Sequence, residues 1–182
     1  MARPKAARGT RPGPKGQIDA EPLRFRGWPL DRAKRRERFM HKYLVVPRGH
    51  GAGKRFRLRE FQREMLYGAF APGIRTALIS IPRANGKTMW AAAIALAEMF
   101  VGPPSAEVLC VASDTRQASH ILRYARRMVE LSPMLSERVH IFADRLYLPE
   151  NDATLLPLPA DADALHGYDP VVAHRGRVAR CD

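Results

Sequence analysis

The sequence lacks the features of a membrane protein or of a disulfide-rich secreted protein. Its 182 residues show no charged start followed by a long apolar run, which is the pattern of a secretory signal. The apolar helix predicted at 88–101 is too short to cross a bilayer. Only two cysteines occur, Cys110 and Cys181, and their separation fits neither a metal site nor a disulfide framework. The six histidines are scattered without ligand spacing. We therefore expect a cytoplasmic protein.

Acidic residues are scarce in the first third of the chain. Residues 1–63 hold 19 Lys and Arg against 5 Asp and Glu, whereas residues 64–182 hold 12 against 13. This asymmetry predicts a basic extension that meets a polyanion, with nucleic acid as the leading partner. A solvated arm that only aids solubility is the alternative, and an anionic membrane is a weaker one. The 46% hydrophobic content is enough for a buried core.

The basic extension divides into two parts. Residues 1–22 are rich in Pro, Gly and basic residues and are predicted to form a disordered arm. Residues 23–59 are predicted to form a basic helical and loop segment, in which Asp31 caps a helix over about 32–43. The run Gly49-His-Gly-Ala-Gly53-Lys54 has only three residues between its outer glycines and is followed by Arg55. It indicates a flexible glycine turn rather than a phosphate loop.

Residues 76–101 follow the order strand, phosphate loop, helix. The apolar run Thr76–Ile81 leads into Pro82-Arg-Ala-Asn-Gly-Lys-Thr88, and a helix free of Gly and Pro follows. In such a loop, backbone N–H groups and the helix N-terminus cradle phosphates, the Lys neutralises the β and γ oxygens, and the Ser or Thr ligates Mg²⁺. An accidental turn is the alternative, because the pattern asks for Gly at the position of Ile81.

The remaining pattern predicts an α/β fold. A helix is expected over about 60–70, and a buried strand over 107–113 of the kind found in parallel sheets. A helix capped by Ser113 or Asp114 should follow, with its arginines mostly away from its apolar face. Short strands at 139–142, 145–148 and 154–158 predict an antiparallel excursion.

Several of these segments together resemble the N-terminal ATPase domain of the large terminase subunit of tailed phages, the motor that drives viral DNA into procapsids. The resemblance runs from about Phe39 to Pro170. Its order and spacing are more specific than any single piece. The pieces are Val46-Pro-Arg-Gly-His-Gly-Ala-Gly-Lys54, Leu58-Arg-Glu-Phe-Gln62, Ile81-Pro-Arg-Ala-Asn-Gly-Lys-Thr88, Ala112-Ser-Asp-Thr-Arg-Gln-Ala118 and Ala160-Asp-Ala-Asp-Ala-Leu-His-Gly167 before Asp169-Pro170.

The resemblance implies a P-loop NTPase three-layer sandwich, with a parallel sheet and flanking helices, that uses ATP and Mg²⁺. It implies that Arg83 senses the γ-phosphate and that Thr88 ligates Mg²⁺ through its hydroxyl. Gln62 would contact adenine, although from the sequence alone it could equally be a surface helix residue. The implied partners are double-stranded DNA, the small terminase subunit and the portal protein, in the bacterial host cytoplasm. The implied cofactor-binding residues are Gln62, Arg83, Ala84, Asn85, Gly86, Lys87 and Thr88.

The sequence departs from the family after Pro170. Hydrolysis needs one carboxylate for Mg²⁺ and another for the attacking water, usually an Asp-Glu pair ending an apolar strand. Here Val171-Val-Ala173 begins such a strand, and the residues after it are basic. We expect an incomplete P-loop domain at 60–170 and an aberrant basic tail at 171–182, as in a truncated or frameshifted prophage gene. Because the carboxylate pair is missing, we assign no catalytic residue and expect deficient hydrolysis. The alternatives are a non-enzymatic basic DNA-binding protein and a helicase-like P-loop ATPase fragment.

Overall fold

A five-stranded mixed sheet organises the chain. The structure is a computed structural model that describes residues 18–82, 84–112, 115–160 and 172–176. The strand order is β2-β3-β4-β1-β5, in which β1 pairs with β4 and β5 in parallel and β3 pairs with β2 and β4 antiparallel. The predicted antiparallel excursion is therefore confirmed. The strands are β1 Glu107–Ala112, β2 His140–Ile141, β3 Leu146–Leu148, β4 Ala153–Pro159 and β5 Val172–Gly176.

The central strand β1 is buried on both faces. Val108 and Cys110 join the main apolar cluster, while Leu109 and Val111, which alternate with them, are also buried. This burial confirms the prediction made from the near-continuous apolar run. Burial also raises the pKa of the Cys110 thiol to about 12, so the thiol stays protonated and packs as a small apolar group.

Two long helices pack against each other and against β1 and β4. The first, α3 (Lys87–Val101), is apolar along most of its length and ends at Gly102. The second, α4 (Thr115–Glu130), buries one apolar face and exposes a basic one, as its periodicity predicts. Arg126 differs from the exposed arginines, because its Nη2 donates to the carbonyl of Phe142 at 2.5 Å. The buried face of α4 consists of Ala118, Ile121, Leu122, Ala125, Met128 and Val129.

The segment before the sheet shares the core with α3. It contains α1 (Arg32–Tyr43) and α2 (Glu60–Ala69), whose bounds are close to the predicted ones. Elsewhere in the chain, a short helix α5 (Pro133–Ser136) follows α4. Asp31 caps α1 as expected, its Oδ1 accepting from the Lys34 N–H at 2.8 Å. Phe39 of α1 stacks on Phe100 of α3 with ring centroids 5.1 Å apart. The basic extension is thus attached to the sheet domain through apolar contact.

The glycine-rich run forms a turn, which confirms the prediction made for it. Val45 and Arg55 form an antiparallel bridge, and the Phe56 N–H donates to the Leu44 carbonyl at 2.9 Å. Gly49, Gly51 and Gly53 all have positive φ, a conformation that side chains disfavour. The helix that follows, α2, begins only at Glu60, so no helix N-terminus lies directly after this turn as it does after a phosphate loop.

The strand predicted at 76–81 is wrong. Residues 74–82 form no strand and pair with none of the described strands. The period-two pattern survives locally, since Ile81 is 8% exposed and Ile79 packs on the core. Ser80 between them is exposed, and Leu78 just before Ile79 is 99% exposed. A strand requires a neighbour for its backbone groups, and no described strand lies beside this segment.

Candidate nucleotide-binding site

Two left-handed residues shape the turn that precedes α3. Ala84 has φ of +66° and Gly86 has φ of +74°. Asn85 Nδ2 donates to the Pro82 carbonyl at 3.4 Å across the turn. A left-handed conformation costs a residue such as Ala about 1 kcal/mol, and strained positions of this kind concentrate at ligand sites. Position 86 favours glycine because of its positive φ. Lack of space is not the reason, since a Cβ placed there would meet only ordinary contacts at 3.7–4.0 Å.

The N-terminus of α3 is open to an anion. Gly86 occupies the N-cap, makes no side-chain cap hydrogen bond, and is followed by a first turn without an acidic residue. The first N–H groups of the helix therefore carry the positive end of its dipole, equivalent to about half a charge. Lys87 is exposed and Thr88 is half-buried in that turn. Among the described carboxylates, none forms an ion pair with Lys87.

Gln62 lies beside this turn. It is 4% exposed, so it is not the surface helix residue that the sequence allowed. Its Oε1 accepts from the Arg59 N–H at 3.1 Å, as the third residue of α2 in a capping arrangement. Its Nε2 lies 4.0 Å from the point where a Cβ on Gly86 would sit. The structure thus brings the start of α2 next to the turn that precedes α3, while adenine contact by Gln62 stays a prediction.

Met89 is a neighbour of the turn that sequence reasoning missed. Its Cε lies 3.7 Å from the point where a Cβ on Gly86 would sit, and the side chain is half-buried against the core. It therefore forms an apolar wall next to Gly86. The sequence signal was its position directly after Thr88. A residue in the first turn of α3 must lie next to any ligand bound by the loop before that helix.

Some predicted site residues lie outside the described part of the chain. Arg83 is one, so its contact with a γ-phosphate stays a prediction. Ser113 and Asp114, the candidate caps of α4, also lie outside, as do residues 161–171 with the family-like segment before Pro170.

The strand expected to carry the hydrolytic carboxylates is present as β5. The strand begins at Val172, one residue after the predicted start, and continues through His174 and Arg175 to Gly176. Its pairing with β1 therefore includes basic residues that follow the apolar run from which the strand was predicted. The sequence of this strand contains no Asp or Glu. Within the described ranges, no group of three or more His, Cys, Asp or Glu residues is arranged to hold a metal ion.

Comparison with known proteins decides the family. Residues 59–181 match the family model for the terminase large subunit, ATPase domain. The chain belongs to this family. The match includes α2, the turn at 82–88 and β5, and therefore the residues that sequence reasoning singled out. No helix in the described ranges has the length and apolar character needed to cross a membrane.

Relatives of known structure and sequence agree with this assignment. The chain is 32% identical to the large terminase subunit of Enterobacteria phage HK97, over 79% of this chain and 30% of that protein. It also matches the crystal structure of the HK97 large terminase with a TM-score of 0.70 and 29% identity, over 80% of this chain and 31% of that one. This terminase-family chain thus spans about 30% of the length of the relative.

Proposed function

We propose that this terminase-family chain is an ATP-binding motor domain for packaging viral double-stranded DNA into procapsids. The observation that carries the proposal is the open N-terminus of α3, where left-handed Gly86 leads into Lys87 and Thr88. A helix N-terminus with a lysine and a hydroxyl in its first turn suits the phosphates of a nucleotide. The family match supports assigning that arrangement to ATP rather than to an accidental turn.

Each residue of the site has a proposed role. Lys87 neutralises charge on the β- and γ-phosphates, and Thr88 offers its hydroxyl to Mg²⁺. The backbone N–H groups of Ala84, Asn85 and Gly86 line the phosphates, with Arg83 reaching the γ-phosphate. Gln62 contacts the adenine base in this proposal. The bound ion supplies charge neutralisation between phosphates. The fold proposed for the complete domain is the three-layer P-loop sandwich.

Hydrolysis by this chain is proposed to be deficient. The two carboxylates needed for Mg²⁺ and for the attacking water have no counterpart in β5, whose sequence includes His174 and Arg175. The chain would therefore hold ATP without appreciable turnover. Mg²⁺-dependent hydrolysis that Lys87→Ala abolishes would contradict this part of the proposal.

The proposed partners follow from the family. They are double-stranded DNA, the small terminase subunit and the portal protein, met in the cytoplasm of a bacterial host. A non-enzymatic DNA-binding protein is the second candidate, favoured by the excess of 19 basic over 5 acidic residues in positions 1–63. A helicase-like P-loop ATPase has less support, because the family match is to terminases.

Titration of a fluorescent ATP analogue with Mg²⁺ into the full chain tests the proposal. Lys87→Ala should weaken binding at least tenfold, about 1.4 kcal/mol, because it removes the cation nearest the phosphates. Lys54→Ala is a matched control, since Lys54 also follows a glycine and is exposed, in the turn that we exclude as a phosphate loop. Absence of binding, or equal losses in both variants, would overturn the proposal.

A further inference from the structure

A basic groove lies between α1 and the segment after the glycine turn. It is open to solvent, has a volume of about 510 Å³ and is lined by cations from both sides. Within the described ranges, none of these cations forms an ion pair with a carboxylate. The groove is separate from the turn before α3, since none of the described residues of that turn, 82 and 84–88, lines it. Its cations are Lys34, Arg38, Lys42, Arg55 and Arg57.

The two rows of cations arise from two different periodicities. Lys34, Arg38 and Lys42 are spaced four residues apart, which places them on one face of α1. Arg55 and Arg57 flank buried Phe56, which is 1% exposed, so alternation along an extended segment turns both arginines away from the core. The bridge between Val45 and Arg55 holds this segment next to the end of α1. Folding thus converts two separate basic segments into facing rows.

Aromatic rings hold part of the helical row in place. Arg38 lies with its Cζ 5.0 Å from the Trp28 ring centroid. The Lys42 Nζ lies 5.6 Å from the Trp28 centroid and 5.2 Å from that of Tyr43. Cation–π contact restrains these long side chains. Restrained side chains lose less conformational entropy when a ligand binds, which favours a preorganised site.

The carboxylate that lines the groove, Glu37, is already paired with a cation outside the five groove cations. Glu37 accepts from Arg63 Nε at 2.8 Å and from the Tyr67 hydroxyl at 2.7 Å. Burial raises the pKa of Glu37, but the hydrogen bonds from Tyr67 and Arg63 and the charge of Arg63 outweigh burial and lower it. His41 is held neutral, because its Nε2 accepts the Leu58 N–H at 3.1 Å and burial lowers its pKa. The five cations therefore dominate the potential of the groove.

We infer that this groove binds the phosphate backbone of duplex DNA, a contact that rests on the proposed packaging function and gives it a surface. Lys34 and Lys42 are eight residues apart, about 12 Å along α1. One strand of duplex DNA presents a phosphate about every 3.4 Å along the helix axis. Cations spread over such a distance match several phosphates of one polymer, whereas a single small anion reaches only a few of them. The recognition is of charge and carries no base preference.

Fluorescence anisotropy with a labelled 30-base-pair duplex, on the full chain at several salt concentrations, tests the inference. The groove variant is Lys34→Gln/Arg55→Gln/Arg57→Gln, which leaves the stacked Arg38 and Lys42 in place. The control is Arg116→Gln/Arg123→Gln/Arg127→Gln on the exposed face of α4, with the same change in net charge. The groove variant should bind at least tenfold more weakly and lose about 2 to 3 from its salt slope. The control should lose no more than about threefold.

A second measurement avoids any effect of substitution on folding. Amine labelling of the native chain with and without duplex should show protection of Lys34 and Lys42, while Lys54 and Lys87 stay reactive. Equal losses in the two triple variants, or no protection of Lys34 and Lys42, would overturn the inference.

The failure of this inference is distinguishable from failure of the proposed function. Binding of the ATP analogue without any duplex binding would overturn the groove assignment and leave the nucleotide site standing. If the native, folded chain binds neither the ATP analogue nor the duplex, the proposed function is contradicted as well. Duplex binding that depends on the groove cations, together with ATP binding that depends on Lys87, supports both.

Discussion

Arg36 of α1 binds Glu98 of α3 through two hydrogen bonds in the core. Its Nε donates to Oε1 at 2.5 Å and its Nη2 donates to Oε2 at 2.7 Å. Arg36 is 2% exposed and Glu98 is fully buried, and the guanidinium also stacks over Phe70 at 4.5 Å. Residues 62 apart in sequence are thereby joined. The pair joins the basic extension to α3, the helix whose N-terminus lies at the proposed nucleotide site.

Breaking this pair should strongly destabilise the fold. Glu98→Ala leaves Arg36 charged and buried without its partner, and such losses reach about 3–5 kcal/mol. Urea denaturation followed by circular dichroism gives the free energy of unfolding. Glu130→Ala is the matched control, because Glu130 pairs with Arg127 at 3.0 Å on the surface. Surface pairs contribute about 0–1 kcal/mol. Similar losses in both variants would show that the buried pair does not hold the two segments together.

Gly102 should tolerate no side chain. A Cβ there would lie 2.3 Å from the Glu98 carbonyl oxygen and 2.6 Å from Glu98 Oε2, so the end of α3 would have to move. We expect Gly102→Ala to destabilise by about 1–3 kcal/mol. Gly68 in α2 has nothing within 4 Å of its own Cβ position. Gly68→Ala should therefore stabilise by about 0.5–1 kcal/mol. Thermal denaturation measures both, and a neutral Gly102→Ala would contradict the close contact.

Acid should destabilise the fold through His41 and then Glu37. Burial lowers the pKa of His41 from its ordinary value of 6.5, against the pull of Glu37. As the pH falls below 6.5, the unfolded chain binds a proton that folded His41 does not, so the free energy of unfolding decreases. The pKa of Glu37 is also lowered. Its contribution is present above the ordinary value of 4.5 and is lost as the pH falls through the folded value.

Melting temperatures between about pH 8 and pH 5 measure this dependence. His41→Gln keeps an acceptor for the Leu58 N–H but cannot bind the proton, so its melting temperature should fall less on acidification. His120→Gln, at an exposed position of α4, should keep the full dependence. Identical pH profiles for His41→Gln and the native chain would contradict the assignment of His41 as a neutral, half-buried acceptor.

The sequence predicted correctly those helices whose bounds are set by neighbouring residues in the chain. Asp31 identified the start of α1, and the run free of Gly and Pro predicted a helix over 88–101, which the structure has as α3. The strand at 76–81 failed, because an apolar run forms a strand only when another strand supplies its hydrogen bonds. Leu78 illustrates the consequence, since it is 99% exposed within a run predicted to be a core strand.

The candidate site was predictable in part. Gly86, Lys87 and Thr88 form a contiguous motif, and the structure places them at the start of α3 as expected. Burial of Gln62 beside Gly86 depends on how α2 packs, which no local pattern records. The groove cations were likewise predictable only in part. The sequence shows the four-residue spacing of Lys34 and Arg38, but their proximity to Arg55 depends on the tertiary fold.

Hydrogen exchange of the backbone amides, with and without Mg²⁺ and ATP, tests the central claim most directly. A bound nucleotide should slow exchange at residues 84–89, where the turn and the first N–H groups of α3 face the phosphates, and Lys87→Ala should remove that protection. No change at 84–89, or protection confined to the glycine turn at 49–54, would contradict the assignment of the nucleotide site.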